Sequence, residues 1–406
     1  MKQRWTRFLV ALGVVLLAAG ALQAEEDKPL APGWLSLDSS VGVLDAKIAE
    51  GKGALEKALG ITTGGFLDTS YIWSSNHPTR PGFISGRYFD KDYNDIDFNY
   101  FHIFVEKPEK DWGVGFRLSG DFGRGGELLR EATLWGKRLH KEPSAELRES
   151  YLTTTIPLGE GIGVKGGLFV TPMGTEILPN PGAYNDNISR SFLFNYGIPL
   201  RHLGILLNYP ILKTLSVSGG AVTGWDDPRD NNRQPSGLWG FSFTPTEKIS
   251  LVSNYIYGPE QFHNNSNMRF TMSHVATIKP IDPLTLIGEF TYGHEQKASL
   301  GGTRGATWYG FSGIASYNWT ERFTTALRSE FFSDRDGARL GGDFKGKHAD
   351  QTLGEVTLTG SYRFTKMFLG RVEFRQDWAD SGFYKKGANR GDANQTTLAG
   401  QIIYTF

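Results

Sequence analysis

Several clusters in this 406-residue chain have residue types and spacings that could do chemistry. Gly161, Gly163 and Gly166 match a dinucleotide fingerprint, in which a glycine turn brings backbone N–H groups to a pyrophosphate at a helix N-terminus. The next residues, Leu168, Phe169 and Val170, continue as a strand, so the required helix is missing. Gly341, Gly346 and Lys347 mimic a phosphate loop, but His348 stands where a Ser or Thr must reach magnesium. Asp90, Asp92 and Asn94 open like a calcium loop, yet Asp95 replaces the turn glycine and Phe101 the bidentate Glu. This stretch reads as an exposed acidic loop, and so do Asp226, Asp227 and Asp230. The 8 histidines show no ligand spacing, and Ser273 and His274, being adjacent on a strand, point to opposite faces. With no cysteine, thiol nucleophiles, disulfides and Cys-held metals are excluded. No metal, no cofactor and no enzymatic reaction is expected.

Composition narrows the remaining classes. The 43 basic residues equal the 43 acidic ones, so the electrostatic footprint of a nucleic-acid binder is missing and no nucleic acid is expected as a partner. The 51 glycines follow no collagen period, and 13% aromatics is too many for a disordered chain. The mean hydropathy of −0.32 taken alone describes a soluble protein.

The elements that would position these residues change that reading. Residues 1–24 have a basic start (Lys2, Arg4, Arg7), an apolar run and small residues up to Ala21 or Ala24, the layout of a secretory signal peptide. Residues 25–60 form a separate periplasmic or plug segment, with one amphipathic helix expected between Val43 and Leu59. From residue 61 to 406 the apolar period becomes 2, in sixteen segments of about ten residues. Short connections such as PLGEG, PILK and TPTEK alternate with long polar ones. That alternation predicts an all-β transmembrane antiparallel β-barrel with short periplasmic turns and long outer loops.

Each strand then has two faces. Val114, Phe116 and Leu118 oppose Arg117, Ser119 and Asp121, and Val356, Leu358 and Tyr362 oppose Glu355, Thr357, Thr359 and Arg363. In lipid the apolar face points outward and the polar face lines a lumen. Trp73, Trp225, Tyr257 and Trp378 are expected in one interfacial aromatic girdle, with Trp112, Trp319 and Phe368 in the other. The chain ends in alternating apolar residues through Tyr404 and Phe406, resembling the C-terminal signal read by the barrel assembly machinery.

Three stretches resemble the OmpL-like beta-barrel porin-2 family of Gram-negative outer membranes: ITTGGFLDTSYIW at 61–73, SGRYFDKDYNDIDFNYFHIFVEKP at 85–108, and the block at 147–211. The resemblance implies a porin-like barrel in the cell outer membrane, with outer-membrane lipid around it and small hydrophilic solutes or ions inside.

A sixteen-stranded barrel leaves a water-filled lumen, whose lining charges and narrowest point control diffusion. The strand phase places Arg117, Lys165, Arg269, Arg328, Arg363, Arg371 and Arg375 on the lumen face, against Asp121, Glu289, Glu330, Glu355, Glu373 and Asp377. Such mixed rows predict either a transverse field or mutual neutralisation. The connection at 172–199, with four prolines and several apolar residues, is expected to fold inward as a constriction, with Glu176, Asp186 and Arg190 at the eyelet. The functional expectation is a passive porin. A barrel sheath housing an electron-transfer partner is the alternative, and a homo-oligomer is left open, since no interface is legible.

Overall fold

The computed structural model describes residues 52–53, 56–79, 83–110, 113–132, 145–343 and 345–406. Residues 1–51, which hold the expected signal peptide at 1–24 and most of the 25–60 segment, lie outside the described residues; of the helix expected between Val43 and Leu59, the helical residues 52–53 and 56–59 are described. The Glu56 carboxylate accepts from the Thr63 N–H at 2.6 Å, tying that turn to the first strand.

Alternation of apolar and polar side chains builds sixteen wall strands, each covering one face in lipid and one in the lumen. They are β1 (Thr62–Ser74), β2 (Ile96–Lys107), β3 (Val114–Phe122), β4 (Ala145–Ile156), β5 (Ile162–Val170), β6 (Arg201–Leu212), β7 (Leu215–Val222) and β8 (Ser236–Thr246). The wall continues with β9 (Ile249–Gln261), β10 (Asn264–Ile281), β11 (Leu284–Glu295), β12 (Ala306–Asn318), β13 (Phe323–Asp334), β14 (Gln351–Arg363) and β15 (Phe368–Ala379). A small hairpin, β16 (Tyr384–Lys386) with β17 (Arg390–Asp392), precedes the last wall strand β18 (Asn394–Thr405). Neighbours in sequence pair antiparallel, and β1 closes the barrel on β18. The seam reaches the terminal residue: Gly65 and Phe406 exchange N–H···O bonds of 3.0 Å each.

The burial pattern assigns the faces. Leu152, Ile205, Val372 and Ile402 are each more than half exposed, whereas Asp121, Arg328, Glu355, Arg375 and Asp377 on the opposite faces are fully buried. An outer surface of this kind is stable only where the surrounding solvent is hydrocarbon.

Three features depart from the sequence reading. The β9–β10 connection lies on the long-loop side yet is only a turn at 262–263, because the two strands extend past the rim and stay paired. The β3–β4 connection contains a helix, α1 (Arg124–Ala132), whose Leu128 and Leu129 are buried. Trp225 belongs to no girdle: it is buried inside, edge-on to Trp308, with Arg269 and Arg339 over its ring at 4.9 and 4.8 Å. Its pairing with cations explains why an aromatic beside a strand end turned inward. Trp319 and Trp378 are exposed on the outer surface, and Trp112 lies outside the described residues.

Within the half nearer the long loops the barrel holds a hydrophobic core. Phe192, Leu193, Phe194 and Ile198 pack with Val222, Leu238, Ile256, Trp308, Phe332 and Leu353 of the wall. Gly293 on the inner face of β11 permits one of these contacts, since a Cβ there would sit 2.0 Å from the Trp308 ring. Gly288, on the outer face of the same strand, has its nearest neighbour, the Phe311 ring, at 3.6 Å. Gly293→Val is expected to destabilise the folded barrel by about 1–3 kcal/mol through overpacking. Gly288→Val should stay within about 0.5 kcal/mol, as for surface changes. Heat-driven loss of the compact form on a gel checks this, and equal losses would show that Trp308 does not rest on Gly293.

Candidate functional site: the barrel interior

The segment 171–200 between β5 and β6 turns into the barrel and touches most of its circumference. Leaving β5, it meets β9, where Asn254 donates to the Pro172 carbonyl at 2.8 Å, then β10 and β11, where Ser273 and Glu289 accept from the N–H groups of Gly174 (3.1 Å) and Thr175 (2.9 Å). It crosses to β3 and β4, where Arg117 donates to Asn180 at 3.0 Å and Arg148 to the Pro179 carbonyl. Tyr184 reaches Thr405 of β18 at 2.6 Å, and Arg371 of β15 donates to the Asn185 carbonyl at 2.6 Å. The Asn187 amide donates to Thr359 of β14 at 2.7 Å. Such an irregular segment can lie at membrane depth only where protein satisfies its backbone.

The charged wall residues supply that satisfaction. Glu373 accepts from the N–H groups of Ile188 (2.6 Å) and Ser189 (3.0 Å), and Glu330 from those of Phe192 (2.7 Å) and Leu193 (2.6 Å). Arg328 bridges Glu355 and Glu176, 2.7 Å each, and donates to the Ser189 carbonyl at 2.8 Å. Arg375 pairs with Asp377 at 2.6 Å, donates to the Arg190 carbonyl at 2.6 Å and covers the Phe192 ring. Asp121 holds Arg148 with two bonds of 2.7 Å and His102 at 2.8 Å.

The strand register puts every residue assigned to the lumen from sequence on the interior face, but their surroundings differ. Asp121, Glu289, Arg328, Glu330, Arg371, Glu373 and Arg375 are buried against the inward segment or its supports. Arg117 lies between Glu106 and Glu149, and Arg269 pairs with Glu295 at 2.8 Å. Arg363 is exposed at the short-turn end, and Lys165 is half-buried with its ammonium 4.7 Å from the centre of the Tyr151 ring. Of the expected eyelet residues, Glu176 binds Arg328, Asp186 accepts from Ser316, and Arg190 is buried over the Phe194 ring. Tyr404 and Phe406 lie on the closing strand and its end.

Sequence reasoning missed several interior groups. Arg148 sits at an even position on a strand whose interior residues, Glu149, Tyr151 and Thr153, are odd; it is the extra residue of a bulge in β4, where the register shifts opposite Ser119 and Gly120 of β3. Asp68 and His102 were hidden because their interior faces also carry Phe66, Ile72 and Tyr100, which blur the polar phase. Asp226 is no exposed acid: it is buried and accepts from the N–H groups of Leu200 (2.5 Å) and Arg201 (3.0 Å), fixing the point where the segment rejoins the wall. Burial pushes its carboxyl up to about 6, against the pull of those two N–H groups. Because the folded value is raised, its contribution to stability is present below the ordinary carboxylate range and is lost as pH rises through about 6. Burial likewise lowers Arg339, which also faces Arg269, to about 10.

The chain belongs to the family described as "Putative beta-barrel porin-2, OmpL-like", whose profile matches residues 60–406. It is thus an outer-membrane β-barrel of the porin class. In fold it is similar to the outer membrane channel DcaP of Acinetobacter baumannii (TM-score 0.57, 13% identity, 85% of this chain and 97% of that one). It is similar also to an anion-selective porin from Comamonas acidovorans (TM-score 0.57, 11% identity, 85% and 99%). A third solved likeness is the trimer form of OmpT, an outer membrane protein of Vibrio cholerae (TM-score 0.55, 12% identity, 85% and 99%). No curated protein matches the chain significantly.

If Glu330 and Glu373 seat the inward segment, the double variant Glu330→Ala, Glu373→Ala leaves four buried N–H groups without their acceptors. Each such loss costs about 1–3 kcal/mol. Unit conductance and open-channel noise in a planar bilayer are expected to rise while the circular dichroism of the sheet is kept. Unchanged conductance and noise would show that these carboxylates do not hold the segment.

Proposed function

We propose that the protein is a passive outer-membrane channel for ions and small hydrophilic solutes, in which the segment 171–200 is the constriction. The observation that carries this reading is the anchoring of that segment to wall strands on nearly opposite sides, by Arg117 and Arg148 of β3 and β4 on one and by Ser273 and Glu289 of β10 and β11 on the other. An inward segment that fills much of the cross-section limits passage to small species, so a low unit conductance is expected. Glu176, Asp186 and Arg190 act in it mainly as anchors and shape its surface.

The same filling favours a channel over a sheath, because the protein's own segment occupies the space a partner protein would need. No catalytic role is proposed; Ser273 serves the Gly174 N–H, while His274 faces outward against Phe290. Residues 1–24 direct export, 25–60 lie on the periplasmic side, and Tyr404 with Phe406 form the signal read by the barrel assembly machinery. A homo-oligomer is part of the proposal, since OmpT of Vibrio cholerae, similar in fold, is described in a trimer form.

Reconstitution of the purified mature chain in a planar bilayer tests the reading. Small stepwise ohmic conductance is expected, together with swelling of loaded liposomes in monosaccharides and not in large oligosaccharides. A bilayer that stays closed under these conditions would contradict it.

A further inference from the structure

We propose that Lys165 is the residue that selects among solutes in this channel, and that it favours small anions such as chloride and short hydroxylated carboxylates. The proposal rests on the diffusion-channel reading above and names the solute class.

Among the described residues, one water-accessible part of the interior lies off centre. The inward segment anchors on β9 to β15, on β18 and on β3 and β4, and it leaves β5 to β8 uncovered in the half nearer the short turns. A cavity of about 390 Å³ lies there, lined by Thr153, Thr155, Lys165, Asn208, Ser218 and Ser242 among others. Of the residues in β5 to β8, only Lys165 and Arg201 are charged. Arg201 is at the other rim, where it binds Glu146 and the Leu147 carbonyl. A solute that uses this chamber therefore meets hydroxyls, amides, apolar side chains such as Leu206 and Val252, the Glu109 carboxylate and one ammonium.

That ammonium is positioned for a ligand from solution. It has no hydrogen bond or ion pair among the described residues and lies over the rings of Tyr151 (4.7 Å) and Phe169 (5.8 Å). The carboxylates nearest in field are already engaged: Glu149 and Glu106 both bind Arg117. Glu109, which also lines the cavity, accepts from the Thr155 N–H at 2.7 Å. A half-buried cation without a carboxylate partner attracts anions more strongly than one in bulk water, and the surrounding hydroxyls can donate to them.

The test is the reversal potential of the reconstituted mature chain in a KCl gradient, with current in potassium gluconate as a second reading. Wild type is expected to be anion-preferring and to carry gluconate current. Lys165→Gln should lower the chloride-to-potassium permeability ratio by roughly twofold or more, the scale of one unit charge in a partly screened passage. Lys165→Glu should invert the preference, and Lys165→Arg, which keeps the charge, should keep it. Conducting channels whose ratio is the same in wild type, Lys165→Gln and Lys165→Glu would overturn this inference alone. A cation-preferring wild type would overturn it also, whereas a wild-type chain with no conductance would overturn the channel reading and this inference with it.

Discussion

An irregular backbone inside a membrane barrel must have its N–H and C=O groups satisfied by protein, and this requirement organises the interior. The segment 171–200 has no ladder of its own beyond one short pair between Asn180 and Ala183 and a turn of π-helix at Leu193–Gly197. Wall side chains take the place of a ladder. Carboxylates of Glu289, Glu330 and Glu373 accept from its N–H groups, while Arg328, Arg371 and Arg375 donate to its carbonyls. Hydrogen bonds to charged groups are stronger than neutral ones, which suits a segment with little regular structure. The charges are in turn tolerable in a buried place because they pair with each other, across strands and within β15.

This arrangement favours mutual neutralisation over a transverse field in the lumen. A transverse field would need opposing charges facing open water. Glu176, Arg328, Glu355, Arg375 and Asp377 instead form a buried chain of alternating sign that starts on the inward segment at Glu176 and continues from Asp377 to Arg87 of the β1–β2 connection. Their fields largely cancel within the chain. The cavity among the described residues lies instead against the hydroxyl-bearing wall of β5 to β8, away from this chain of buried charges.

The barrel was legible in the sequence because lipid and water impose a period of 2 on every strand, and because short and long connections differ in composition. The inward fold of 171–200 was suggested by Leu178, Phe192, Leu193 and Phe194, apolar residues that solvent would not accommodate, and these residues are buried. The roles of individual charges were not legible. Periodicity assigns a side chain to a face, but it does not say that Glu330 meets two N–H groups of a segment 137 residues away. Nor can it see a bulge, which is how Arg148 entered the interior, or a cation pair that draws Trp225 inward from the rim. These depend on contacts distant in sequence, where no local pattern carries information.

The central claim is that the inward segment covers the wall from β9 through β15 and leaves water against β5 to β8. Because the chain contains no cysteine, single cysteines placed on the two walls report this without background. The most direct measurement is the rate at which a small charged thiol reagent modifies Ser218→Cys on β7 and Thr357→Cys on β14 in the folded barrel. The account predicts rapid modification at 218 and protection at 357, with 357 becoming reactive only on unfolding. Equal rates at the two positions, or protection at 218 with reaction at 357, would contradict it.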